Sequence, residues 1–294
     1  MYKYDGLMLG IYEKGLPKRL DWEKKIKLAK EGGYKFIEIS VDESEERLTR
    51  LDWNKNEIKK MKDLLIDNDF RIPSMTFSGQ KKYSMGSQDK NIREKSMDYM
   101  KKAIELSDKL GIRVIQVTGY DVYYEERSEK TKIQFMENLK KSIEWASKAC
   151  ITLAIENMEN TFINSVSKYM EISKEISSPW LKLYPDLGNL TAWNDENTYA
   201  ELKKGIKAQE IIAIHLKEAL KVREGFGGKF REIEFGKGEV NFVKTFETLR
   251  EEQFKGPFLI EMWNEESSTP LEDIIKVREW MLEQMRKGGY FDIC

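Results

Sequence analysis

The chain is predicted to be an α/β protein, a single (β/α)8 TIM barrel over residues 1–294, with its active site on the C-terminal face of eight parallel strands. Three observations predict it. Strand-like and helix-like segments alternate eight times, which implies a parallel sheet with helical crossovers. The length of 294 residues suits a barrel of about 250 residues with extra loops. The first strand-to-helix turn, Tyr12-Glu13-Lys14-Gly15, lacks the Gly-rich fingerprint of an open doubly wound sheet.

The elements follow in order. A strand is expected over 7–12, then a helix over 19–31 stopped by Gly32-Gly33. The run Phe36-Ile37-Glu38-Ile39-Ser40-Val41 is the second strand, and Asn54 is the cap of a helix over 54–66. The third strand covers 71–77, where Pro73 is tolerable only near the start. Met97, Met100, Ile104 and Leu110 recur at helical spacing before Gly111, a stripe that reads as core packing. Val114-Ile115-Gln116-Val117 is strand four, and Phe135, Leu139, Ile143 and Ala146 mark one face of the next helix. Strands over 151–155, 181–184, 211–216 and 258–261 alternate with helices over 165–176, 194–206, 241–250 and 271–287. Two connections are long, 78–90 and 218–240, and both leave C-terminal strand ends.

Composition narrows the function classes. Hydrophobic residues make up 40% of the chain, enough for a sizeable core, and charged residues make up 34% with a net charge of −1. Lys and Glu are interspersed as on solvated helix faces, so no basic footprint for nucleic acid is expected. No stretch approaches the ~20 apolar residues of a membrane span. The segment Met1-Tyr2-Lys3-Tyr4-Asp5-Gly6 has no apolar core of the signal-peptide kind. A cytoplasmic protein is expected. Cys150 is expected to be a buried small hydrophobe where a helix hands over to a strand, and Cys294 a free terminal thiol.

The chemistry starts from the only histidine, His215, at the end of Ile211-Ile212-Ala213-Ile214-His215-Leu216-Lys217. Three other apolar runs end in a carboxylate: Leu153-Ala154-Ile155-Glu156, Leu183-Tyr184-Pro185-Asp186 and Phe258-Leu259-Ile260-Glu261. Side chains alternate along a strand, and the apolar opposite faces suit packing against helices. Glu156, Asp186, His215 and Glu261 are therefore expected to point into the barrel mouth. Converging carboxylates repel and are costly to desolvate. One divalent ion, Zn or Mn, would relieve both problems with this oxygen/nitrogen ligand set.

Open coordination positions could take a ketone oxygen and an adjacent hydroxyl of a sugar, stabilising an enediolate. Glu156 and Glu261 come from strands three apart, so they can flank a substrate as an acid/base pair. Three acidic ligands against a +2 ion leave one excess negative charge, which a shared proton on one Glu would balance.

At these residues the chain resembles the L-ribulose-5-phosphate (L-xylulose-5-phosphate) 3-epimerases of ascorbate and pentulose catabolism, within the xylose-isomerase-like barrels. The matching segments begin with Leu9-Gly10-Ile11-Tyr12-Glu13-Lys14, Ser40-Val41-Asp42-Glu43, Glu46-Arg47-Leu48 and Arg50-Leu51-Asp52-Trp53. Further matches are Gly119-Tyr120-Asp121-Val122-Tyr123-Tyr124, Tyr184-Pro185-Asp186-Leu187-Gly188-Asn189-Leu190, Phe235-Gly236-Lys237-Gly238 and Leu259-Ile260-Glu261-Met262-Trp263. The resemblance covers essentially the whole chain. It implies that Glu156, Asp186, His215 and Glu261 bind the metal and that Glu156 and Glu261 are the acid/base pair. It also implies inversion at C3 of a ketopentose 5-phosphate. In related epimerases of free ketoses, a His follows the metal Asp by three positions. Asn189 stands there in this chain, which fits a phosphorylated substrate.

A phosphate needs donors, and barrels often bind it near the last two strand loops. The loop after the seventh strand offers Gly225, Gly227, Gly228, Lys229, Arg231 and Gly236-Lys237-Gly238. The candidate substrate contacts are Lys217, Asn189, Glu159, Lys229, Arg231 and Lys237, with Arg50, Ser78 and Lys81 as weaker phosphate donors. A ketose–aldose isomerase, a dehydratase or a free-ketose epimerase would suit the same barrel. An abasic-site endonuclease would need a multi-histidine trinuclear zinc site, and one histidine argues against it. A sugar-binding protein would not need two metal-bound Glu residues. A homodimer is compatible with this reading.

Overall fold

Each of the eight apolar runs forms a strand in the computed structural model, which describes residues 6–293. They are β1 (Leu9–Tyr12), β2 (Phe36–Ser40), β3 (Ser74–Phe77), β4 (Val114–Thr118), β5 (Thr152–Glu156), β6 (Leu181–Leu183), β7 (Ile214–Leu216) and β8 (Phe258–Ile260). The expectations for Cys294 and for Met1 to Asp5 lie outside the described residues. Neighbouring strands pair in parallel in the order β6-β5-β4-β3-β2-β1-β8-β7. The two ends of that order meet through the bridges Leu183↔Ile211 and Asp186↔His215. The His215 N–H donates to the Pro185 carbonyl at 2.9 Å, so the seam that closes the barrel runs between two candidate ligands.

The helices are α1 (Trp22–Glu31), α2 (Glu45–Leu48), α3 (Lys55–Asp67), α4 (Lys90–Leu110), α5 (Glu129–Lys148), α6 (Val166–Ile176), α7 (Leu187–Asn194), α8 (Thr198–Lys207), α9 (Phe242–Glu251) and α10 (Pro270–Lys287). Local chemistry explains their starts. Asn54 and Glu57 form a reciprocal capping box on α3, and Asp21, Asp89 and Ser128 cap α1, α4 and α5. Gly111, at φ +79°, ends α4 in the left-handed conformation that only glycine adopts without strain. Pro73 directly precedes β3, where its carbonyl accepts from the Arg113 N–H at 2.9 Å and its missing N–H costs no ladder bond.

The expected apolar stripes face inward. Met100, Ile104 and Leu110 of α4 are buried, as are Phe135, Leu139, Ile143 and Ala146 of α5. Each large side chain among them contributes about 1.5–3 kcal/mol through burial. Among the described residues, no helix is long and apolar enough to cross a membrane.

Two expectations need correction, and one short helix was not foreseen. The segment after β6 holds two helices rather than one starting at 194. Leu187 to Ala192 of α7 are all buried, so that helix has no polar face and no helical stripe to read. α2, with four residues, is likewise too short for periodicity. Cys150 is exposed rather than buried. It sits at φ +55°, where the chain reverses from α5 into β5 and turns the side chain outward.

Candidate active site and metal centre

The ligand geometry grows out of the strand ends. Glu156 is the last residue of β5, His215 lies in β7, and Glu261 directly follows β8. Asp186 follows β6 and caps α7: its Oδ1 accepts the Asn189 N–H at 2.6 Å, which leaves Oδ2 for other partners. Glu156, Asp186, His215 and Glu261 each offer one ligand atom, and these atoms all lie within 4.8 Å of one another. Glu156, Asp186 and His215 are buried, and Glu261 is half-buried. His215 Nδ1 is 2.9 Å from Glu261 Oε2 and 3.5 Å from Glu156 Oε1.

The cluster fits a divalent cation. Asp186 Oδ2, His215 Nδ1 and Glu261 Oε2 are buried and make no hydrogen bond, although the Lys217 ammonium stands 3.1 Å from Asp186 Oδ2. Leaving such atoms unpaired costs about 1–3 kcal/mol each, and more for charged groups. One cation at their common centre would satisfy all three. The set contains oxygen and nitrogen but no thiolate, which suits Zn or Mn.

Several neighbours that the strand-end reading overlooked hold the ligands. Glu38 of β2 accepts from His215 Nε2 at 3.1 Å and from the Thr76 hydroxyl at 2.5 Å. The Gln116 amide of β4 donates to Glu156 Oε2. Asn157 pins the Asp186 backbone on both sides, through Oδ1 at 2.9 Å and Nδ2 at 3.1 Å. Strand parity was the available signal, because Glu38 and Gln116 are polar residues within apolar strands and share the inward face. Gly119 allows β4 to approach β5 here: a Cβ would stand 2.4 Å from the Glu156 carbonyl oxygen.

Lys217 is buried and points inward as parity requires. Its Nζ lies 3.1 Å from Asp186 Oδ2 and donates to Asn189 Oδ1 at 2.9 Å. Burial opposes its charge, but Asp186, Glu261 and Glu156 outweigh burial and hold the ammonium well above its ordinary pKa. Burial likewise opposes ionisation of Glu261, yet Lys217 and His215 keep that carboxyl well below the usual range. Burial, with Glu261 nearby, pushes Glu156 up. The fixed Lys217 cation offsets part of the negative charge of the three carboxylates, while the raised Glu156 is the carboxyl that most readily holds a proton.

A cleft of about 120 Å³ opens above these residues, with Lys81, Glu159, Arg231 and Trp263 in its wall. Lys81 Nζ and an Arg231 terminal nitrogen each lie 3.6 Å from Glu159, so two cations bracket one carboxylate at the mouth. Arg231 also lies over the Trp263 ring at 5.6 Å. Lys81 lies 4.8 Å from the Tyr123 ring centre, and burial lowers its pKa. Ser78 joins the same cleft.

The other phosphate candidates are placed differently. Arg50 is buried and makes two bonds to Glu13, at 2.5 and 2.8 Å. Asn189 is buried, with its amide donating to the Asn157 carbonyl at 2.9 Å, and it orients Lys217. Lys229 and Lys237 are exposed and do not line the cleft. The glycine-rich segment binds an internal anion. The Gly236 N–H donates to the Glu218 carboxylate at 2.8 Å and the Val240 N–H at 3.4 Å. A Cβ on Gly238 would stand 2.0 Å from that carboxylate. Gly225, at the tip, and Gly228, both at positive φ, lie within the small hairpin formed by the Leu220↔Lys229 and Arg223↔Phe226 bridges.

Residues 26–284 match the family model for the xylose isomerase-like TIM barrel, the class that this barrel and its mouth define. The chain is 46% identical over 281 residues to the putative L-ribulose-5-phosphate 3-epimerase SgbU of Haemophilus influenzae, covering 96% of this chain and 97% of that protein. It is 41% identical to the L-ribulose-5-phosphate 3-epimerase UlaE of Shigella sonnei, covering 96% of each. A solved L-ribulose 3-epimerase structure superposes with a TM-score of 0.76 over 96% of this chain and 95% of that one, at 13% identity, a likeness of fold alone. The chain belongs to the L-ribulose-5-phosphate 3-epimerase family, whose members are sugar epimerases of the isomerase class.

Proposed function

We propose that this protein inverts C3 of a ketopentose 5-phosphate, interconverting L-xylulose 5-phosphate and L-ribulose 5-phosphate in pentulose and ascorbate catabolism. The convergence of Glu156, Asp186, His215 and Glu261 within 4.8 Å, with His215 Nδ1 and Glu261 Oε2 buried and without a hydrogen bond, carries the reading. The names of the relatives supply the substrate class. A bound divalent ion would supply Lewis-acid stabilisation of the negative charge that develops when the C3 proton leaves.

The chain's own residues do the rest. Glu156 and Glu261, from strands three apart, serve as the two bases: one takes the proton from C3 and the other returns a proton to the opposite face. Such a group contributes about 10²–10⁴-fold. Lys217 orients Asp186 and stays protonated through turnover. Lys81 and Arg231, with Ser78, receive the phosphate at the mouth in exchange for their contacts to Glu159.

Incubation in D2O with phosphorylated and free ketopentoses tests reaction and substrate together. Deuterium at C3 with inversion, and a preference for the phosphorylated ketose, is the expected result. An aldose product or loss of water would replace the epimerase reading with an isomerase or a dehydratase. Equal turnover of free ketose would remove the phosphate requirement.

A further inference from the structure

Two buried carboxylates in the first half of the barrel are partnered in different ways. Glu13, after β1, is neutralised by Arg50 at 2.5 Å and Lys25 at 2.8 Å. Glu38, in the middle of β2, is equally buried. Among the described residues, no lysine or arginine pairs with it. Its partners are neutral or histidine groups: the Thr76 hydroxyl and His215 Nε2, both on Oε1, and the Tyr184 hydroxyl.

A buried carboxylate without a cationic partner is costly to keep. A structural role therefore accounts poorly for Glu38, because a neutral side chain would fill the same space. Its position behind the imidazole supplies a better reason. An acceptor at Nε2 places the imidazole proton there and leaves the lone pair on Nδ1, which faces Glu156 and Glu261. The Tyr184 ring, edge-on at 4.3 Å, restrains the imidazole plane.

We propose that Glu38 is the positioning residue of the metal centre: it selects the Nε2–H tautomer of His215 and strengthens Nδ1 as a ligand. Thr76 holds Glu38 in place for that task. This rests on the metal-centre reading above. Carboxylates behind metal-binding histidines generally act in this way, and losing one costs about 10–100-fold in metal affinity.

The single histidine makes the proposal directly readable. Histidine-labelled, zinc-loaded protein gives one imidazole spin system in long-range proton–nitrogen NMR. The expected wild-type spectrum shows a protonated, slowly exchanging Nε2 and a zinc-shifted Nδ1. Glu38→Ala should lose the slow exchange and raise the apparent zinc dissociation constant about 10–100-fold in chelator competition. Glu38→Gln can still accept through its amide oxygen and should fall between the two. Thr76→Val should show a smaller loss of the same kind.

Zinc on Nε2 in the wild type would overturn the proposal without any variant being made. So would folded Glu38→Ala and Glu38→Gln proteins that hold zinc as tightly as wild type. A wild-type protein that takes up no zinc, manganese or cobalt would sink the metal-centre reading itself, and the role of Glu38 with it.

Discussion

The two halves of the barrel divide the work differently. Strands β5 to β8 carry all four candidate ligands at or just beyond their C-terminal ends. Strands β2 to β4 carry none, yet they supply Glu38, Thr76 and Gln116, which bond to those ligands or to their supports. One half thus presents charge and the other fixes its direction. Ligands converge wherever strand tips converge, but a ligand set a fraction of an ångström loose binds metal poorly. The supporting half is how this barrel makes its mouth rigid.

The largest effect should come from the ligand half. Glu156→Gln and Glu261→Gln should each lower kcat by about 10²–10⁴-fold in the C3 exchange assay. A loss in one variant only would restrict proton transfer to a single base. Glu13→Gln tests the other half. It strands Arg50 and Lys25 in the interior and should cost about 3–5 kcal/mol of unfolding free energy by denaturant titration.

The same pair sets an acid limit. Burial opposes ionisation of Glu13, but Arg50 and Lys25 outweigh it and hold the carboxyl well below its usual range. Its contribution is therefore present above the unfolded-state pKa of about 4.3 and is lost as pH falls through the lower folded value. Stability measured from pH 5 down to 2 should fall less steeply in Glu13→Gln than in wild type.

At the mouth, Arg231→Ala should raise KM for the phosphorylated ketose roughly tenfold, about 1.4 kcal/mol, with little change in kcat. An equal change for the free ketose would place the phosphate elsewhere. The smallest effect is expected at exposed Cys150, where replacement by Ser should move stability by no more than about 0.5 kcal/mol.

How legible all this was in the sequence depended on periodicity. The eight strands and the convergence of the four candidate ligands were readable because buried parallel strands are short apolar runs, and a polar residue at their ends stands out. α7 was not, because a helix buried all round has no stripe. Glu38 was visible as a residue, but its partner lies 177 positions away, and no local pattern encodes that pairing. The Gly236-Lys237-Gly238 segment was expected to help bind the substrate phosphate, and only the fold shows that its backbone closes on the Glu218 carboxylate instead.

The sequence by itself determined the barrel, the inward parity of Glu156, Asp186, His215, Lys217 and Glu261, and the hard ligand chemistry. All of these depend on alternation and residue type, which are local properties. The tertiary structure decided which groups are already satisfied. It gave Arg50 to Glu13, Asn189 to Lys217 and the loop N–H groups to Glu218, and it left Asp186 Oδ2, His215 Nδ1 and Glu261 Oε2 without hydrogen bonds. Whether a polar atom is free for a ligand depends on what closes over it from distant parts of the chain, and that is settled only when the barrel shuts.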